Sequence, residues 1–174
     1  MNMGKRFLLT LLVCVLGSTA FAYDNPRWFN MPISVYAPKT AHGTTVMNAY
    51  RAWQSASGGT VRFLHRNAEN LQPLSNITIQ FSDNWISGKP YSITQKYSMF
   101  SEKRINTKRG FYYKQTITIS RNDRNGKPYT GNQLYSIALT AAGESLGVKD
   151  LNLDLDKNRV TKDDITALNS VYKK

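Results

Sequence analysis

The sequence predicts a mixed α+β domain. Two six-residue segments alternate apolar and polar side chains with period two, Asn76-Ile-Thr-Ile-Gln-Phe81 and Gln115-Thr-Ile-Thr-Ile-Ser120, the pattern of half-buried strands. Two later segments carry helix start and stop signals, one closing at Gly147 and one opening at Thr161. The predicted order is strand, helix, three strands, helix, helix, in a chain of 174 residues that is 41% hydrophobic. That length suits one domain with a sizeable core and excludes wholesale disorder.

The elements follow in order. Met31-Pro-Ile-Ser-Val-Tyr36 reads as the opening strand. Thr44 or Thr45 can cap a helix in which Val46, Tyr50 and Trp53 recur at i, i+4 and i+7, with Gly58-Gly59 as its stop. Val61 to Leu64 is the second strand, Asn76 to Phe81 the third and Gln115 to Ser120 the fourth. Asn122 to Gly126 is turn-rich, and a helix runs from about Asn132 to Leu146. Thr161-Lys-Asp-Asp164 caps the last helix, with Ile165, Leu168 and Tyr172 on one face.

Met1 to Ala22 has the plan of a secretory signal peptide: Lys5 and Arg6, an apolar run from Phe7 to Leu16, then Ala20-Phe21-Ala22 as a cleavage site. Cleavage there removes 22 of 174 residues, together with Cys14, the one cysteine. The expected product, residues 23–174, is a single secreted or periplasmic domain without disulfides or a transmembrane segment.

Charge is uneven. The chain holds 23 Lys or Arg against 11 Asp or Glu, a net +12. Between Asn84 and Thr130 lie ten basic residues and two acidic ones, interleaved with Tyr91, Tyr97, Phe100, Phe111, Tyr112 and Tyr113. Such a stretch reads either as a solvated basic surface or as a grip for an anionic polymer or cell-envelope component, in which cations meet anions and rings stack. The candidates for that grip are Lys103, Arg104, Lys108, Arg109 and Tyr112.

The order of several segments resembles a known family. Met31-Pro-Ile-Ser-Val-Tyr36, the helix ending in Ala52-Trp53, Gly59-Thr-Val-Arg-Phe63, Ile77-Thr-Ile-Gln-Phe81, Thr116-Ile-Thr-Ile119, Gly143-Glu-Ser-Leu-Gly147 and Asp163-Asp-Ile-Thr-Ala-Leu168 with Tyr172 are similar to the matrixins, metzincin-type zinc metallopeptidases. The resemblance implies a zincin-like fold: a twisted mixed sheet, a backing helix, an active-site-type helix and a C-terminal helix. It also implies a His-Glu-x-Gly-His-x-x-Gly-x-x-His motif. There, two histidines four residues apart share a zinc ion, the Glu acts as general base, and the second Gly turns the chain to bring up a third ligand.

The corresponding window is Thr140-Ala-Ala-Gly-Glu-Ser-Leu-Gly-Val-Lys-Asp150. Gly143 and Gly147 are retained, but Thr140, Glu144 and Asp150 stand where the resemblance places the ligands, and Ala141 stands at the general base. No Met follows Met99, so the Met-turn that the family places beneath the metal is absent as well. General-base catalysis contributes roughly 10²–10⁴-fold, and an alanine side chain accepts no proton. The expectation is a pseudopeptidase with no catalytic or metal-binding residues and no cofactor, binding a peptide, protein or polyanionic partner. Two alternatives stand beside it: a divergent metal-dependent peptidase, which alone would need zinc, and a basic envelope-binding module. His42 and His65 belong to no ligand cluster. Asp154-Leu-Asp156-Lys-Asn158 opens like a calcium loop but has Arg159 where that loop needs Gly, and reads as an acidic turn before a helix.

Overall fold

The computed structural model describes residues 26–99 and 110–173. The protein is mixed α/β, with three helices against one six-stranded sheet. In chain order the elements are β1 (Arg27–Trp28), β2 (Ile33–Tyr36), α1 (Ala41–Ala56), β3 (Phe63–Arg66), a 3-10 turn (Glu69–Leu71), β4 (Ile77–Ser82), β5 (Tyr91–Met99), β6 (Gly110–Ser120), α2 (Gly131–Ser145) and α3 (Lys162–Tyr172).

Strands β3, β2, β4 and β6 lie side by side in that order, all parallel. β1 adds in parallel to the start of β6, with Arg27 opposite Phe111 and Trp28 opposite Tyr112. β5 runs antiparallel to β6, with Ile93 opposite Ile117 and Gln95 opposite Gln115. Among the described residues it pairs with no other strand and lies at the edge of the sheet.

Alternation decides what each face carries. Ile77, Ile79, Ile117 and Ile119 are buried together with Ile33 and Val35 beneath Tyr50, Trp53, Leu139 and Leu146 of the helices. Between these positions Thr78 pairs with Thr116, and Gln80 with Thr118, on the opposite face. The two large helices are locked by the Trp53 indole N–H, which donates to the Leu139 carbonyl at 2.9 Å. Gly143 permits that approach: a Cβ there would stand 2.5 Å from Trp53 Cζ2.

Several boundaries differ from the sequence expectation. α1 is capped by Thr40, whose hydroxyl accepts from Gly43 N–H at 3.1 Å, not by Thr44 or Thr45. Those two hydroxyls instead donate to carbonyls four residues back in the helix. The apolar stripe begins only at Gly43, so periodicity overlooks the first turn. The second strand lies two residues later than Val61 to Leu64, because Val61 is spent on the core beside the Gly58-Gly59 turn. β1 and β5 were not anticipated.

α2 and α3 agree with their predicted signals. Thr130 and Gln133 form a capping box on α2, and Thr161 and Asp164 form one on α3. Asp164 is buried at 1% exposure and accepts from Asn152 N–H (2.7 Å), Thr161 N–H (2.8 Å) and the Thr161 hydroxyl (2.8 Å). The turn before α3 is an acidic turn held by its own cations. Asp154 pairs with Arg159 at 3.0 Å and Lys157 at 3.8 Å and accepts the Lys157 N–H. No helix among the described residues is long and apolar enough to cross a membrane.

Candidate functional site: a cleft between β5 and α2

Residues four apart on a helix share a face, so Thr140 and Glu144 project from one side of α2. The helix ends at Leu146, and Gly147 then reverses the chain at φ +83°, a conformation that side chains with a Cβ rarely adopt. A Cβ at Gly147 would also stand 2.2 Å from the Pro26 carbonyl oxygen. The reversal carries Lys149, Asp150 and Leu151 back past the end of the helix. Asp150 itself sits at φ +53°.

Thr140, Glu144, Gly147 and Asp150 thereby line one open cleft of about 610 Å³, whose opposite walls are Gln95, Tyr112 and Pro26. A second cavity of about 400 Å³ adjoins it, lined by Lys89, Tyr91, Ser92 and Ile93. Gln95 and Glu144 belong to both. The two cavities therefore form a groove along the edge strand, with Glu144 at their junction.

The chemistry of the groove can be read residue by residue. The Thr140 hydroxyl donates to the Ser136 carbonyl at 3.0 Å, which turns it onto its own helix. Ala141, at 1% exposure, is part of the core and lines neither cavity. Glu144 is half-buried; burial first, and then the neighbouring Glu144 carboxylate, push the Tyr91 phenol well above its ordinary value. Glu144 makes no ion pair among the described residues.

Behind the groove a buried polar cluster braces the C-terminal end of α2. The Ser145 carbonyl accepts from Trp28 Nε1 (3.0 Å) and Gln115 Nε2 (3.1 Å). The Tyr50 hydroxyl and Ser145 Oγ lie 3.1 Å apart, and Ser145 Oγ donates to the Ala142 carbonyl at 2.7 Å. Tyr172 reaches the next carbonyl, that of Leu146, at 3.0 Å.

A zinc ion does not fit this donor set. Where the resemblance places three ligands stand a hydroxyl turned onto its own helix and two carboxylates, Glu144 and Asp150, and where it places the base stands a core alanine. Among the described residues, no group of three or more His, Cys, Asp or Glu is placed to hold a metal ion. His42 packs its ring 5.6 Å from that of Phe81. His65 sits on β3, where burial first and then the nearby Arg51 charge hold its imidazole below its ordinary value. Neither lines the groove.

The polyanion candidates separate. Lys103, Arg104, Lys108 and Arg109 lie outside the described residues. Tyr112 is buried at 5% exposure with its ring centroid 5.5 Å from that of Trp28, so it packs the wall of the cleft; its displayed neighbour is Tyr113, at 55%. Sequence reasoning names Tyr91 only as an aromatic of the basic stretch and misses Gln95, although Tyr91-Ser-Ile-Thr-Gln95 carries a period-two alternation of its own.

Fold and site together define a mixed α/β protein with an open groove between an antiparallel edge strand and the C-terminal half of a long helix. No protein-family model matches the chain, and no curated protein matches it.

Proposed function

We propose that this chain is an exported, matrixin-like protein that binds an extended peptide or protein segment in the groove along β5 without cutting it. The observation that carries the reading is the shared lining of one cleft by Thr140, Glu144 and Asp150, the three positions where the family resemblance places zinc ligands. The general-base position, Ala141, is buried behind that cleft. A parallel sheet closed by an antiparallel edge strand, with a helix crossing beside that edge, also agrees with the fold that the resemblance implies.

The open side of β5 supports a peptide ligand. An edge strand offers unpaired backbone donors and acceptors, and an extended chain satisfies them by adding one more strand. The groove beside it gives alternate side chains of that ligand somewhere to lie.

The test is retention without turnover. Purified protein is incubated with a random library of N-acetylated, C-amidated decapeptides, and the retained fraction is read by mass spectrometry, alongside the protein's metal content. The expected result is retention of full-length peptides with no cleavage products. Cleavage that a chelator abolishes, with stoichiometric zinc, overturns the reading in favour of a metal-dependent peptidase. Absence of any retained peptide overturns it as well.

A further inference from the structure

We infer that the groove selects a segment carrying a lysine or arginine, whose cationic head is received by Glu144 at the junction of the two cavities. This deepens the peptide-binding reading and rests on it.

The argument is one of charge complementarity. Glu144 lines both cavities, so any segment long enough to follow the groove passes it. Its carboxylate is half-buried and has no cationic partner among the described residues, in a chain whose net charge is +12. A ligand ammonium or guanidinium that reaches this carboxylate at the partly water-excluded junction makes a charge-assisted hydrogen bond.

Tyr91 stands beside the acceptor. Its ring is buried at 6% exposure, and its phenol feels both the burial and the neighbouring Glu144 carboxylate. An ionised carboxylate accepts about four hydrogen bonds, so one neighbouring phenol leaves it able to receive a cationic donor. Asp150, on the wall of the same cleft, adds a second negative charge, while Lys149 on that wall and Lys89 in the adjoining cavity carry the opposite sign, so the selection is local to the Glu144 carboxylate at the junction.

Net charge makes the inference unusually easy to separate from non-specific attraction. A chain at +12 attracts acidic peptides and repels basic ones, so a preference for Lys or Arg runs against the long-range field.

The experiment uses four decapeptide libraries that differ in one fixed central residue: Lys, Arg, Leu or Glu. Each is tested against the wild-type protein, Glu144→Gln and Glu144→Lys at about 150 mM salt, where long-range charge is screened beyond about 8 Å. Wild type should retain the Lys and Arg libraries about tenfold better than the Leu library, the scale of one hydrogen bond to a charged group. Glu144→Gln should bring all four libraries within about twofold of one another, with its thermal midpoint close to that of wild type. Glu144→Lys should favour the Glu library.

Equal retention of all four libraries by wild type overturns the cationic selection and leaves the groove reading standing. So does a Lys and Arg preference that persists in Glu144→Gln. Failure of wild type to retain any library overturns the groove reading, and the selection with it. If Glu144→Lys does not fold, the isosteric Glu144→Gln decides the matter alone.

Discussion

Gly143 lies so close beneath the indole of Trp53 that the two helices could not meet if the glycine carried a methyl group. A Cβ at this position would stand 2.5 Å from Trp53 Cζ2 and 2.8 Å from a Leu151 methyl. Trp53 is fully buried and anchored by its bond to Leu139, so it has nowhere to retreat. The same glycine keeps α2 at the depth that brings Glu144 to the sheet edge.

Gly143→Ala should therefore cost about 1–3 kcal/mol, the range of overpacked cores. Gly147→Ala should cost more, because its φ of +83° and a backbone oxygen 2.2 Å from the new methyl act together. Urea midpoints of the two variants check both the sign and the order. A midpoint for Gly147→Ala equal to that of wild type would mean that the turn after α2 differs from the one described.

The triple variant Thr140→His, Glu144→His, Asp150→His should take up one zinc ion per chain. All three positions line one cleft, and three imidazoles with a water make a complete tetrahedral site. Ala141 is best left alone, since a glutamate there would enter the core. Metal analysis after dialysis reads the result. A folded triple variant that binds no zinc would separate this cleft from the matrixin arrangement.

Asp164→Ala should destabilise the fold by about 2–4 kcal/mol. The carboxylate is buried and accepts three hydrogen bonds, from two backbone N–H groups and the Thr161 hydroxyl. Its removal costs the Thr161 helix cap, about 1 kcal/mol, and strands the Asn152 N–H, about 1–3 kcal/mol more. Asp164→Asn should recover part of the loss, because its amide oxygen still accepts. Chemical denaturation of the two variants measures the difference.

Stability should fall at alkaline pH. Burial raises the phenols of Tyr50, Tyr91 and Tyr172 above their ordinary value of 10.0. As the pH passes 10 the unfolded chain releases these protons first, while the folded chain retains them. Their contribution is thus fully present below the unfolded value and is lost as pH rises toward the folded ones. The slope approaches about 1.4 kcal/mol per pH unit for each fully buried phenol. Urea midpoints from pH 8 to pH 11 should stay level and then decline, and Tyr50→Phe should make the decline shallower.

Legibility in the sequence tracked how local each signal is. β4 and the second half of β6 announce themselves by alternating isoleucines, α2 by its stop at Gly147 and α3 by the Thr161 cap, whose partner lies three residues away; the Thr130 cap of α2 emerges only in the structure. β1 is two residues long and exists because Arg27 and Trp28 meet Phe111 and Tyr112, more than eighty positions later. β5 alternates too, but its outward positions are Ser92, Thr94 and Lys96, which sit within a run of charge that reads equally well as a loop.

The sequence by itself determined a domain of mixed strands and helices, the Thr161 cap of α3, the glycine that ends α2 and the absence of histidine from residues 140–150. Those properties depend on side chains within one or two turns of each other, where periodicity and capping act. Only the tertiary structure decided that Thr140, Glu144 and Asp150 share one cleft, that Ala141 and Tyr112 are buried, and that Tyr91 from a distant strand lines a cavity with Glu144. These relationships arise where β5, α2 and the turn at Gly147 converge, and such convergence is set by packing across the sheet, which spacing along the chain does not encode.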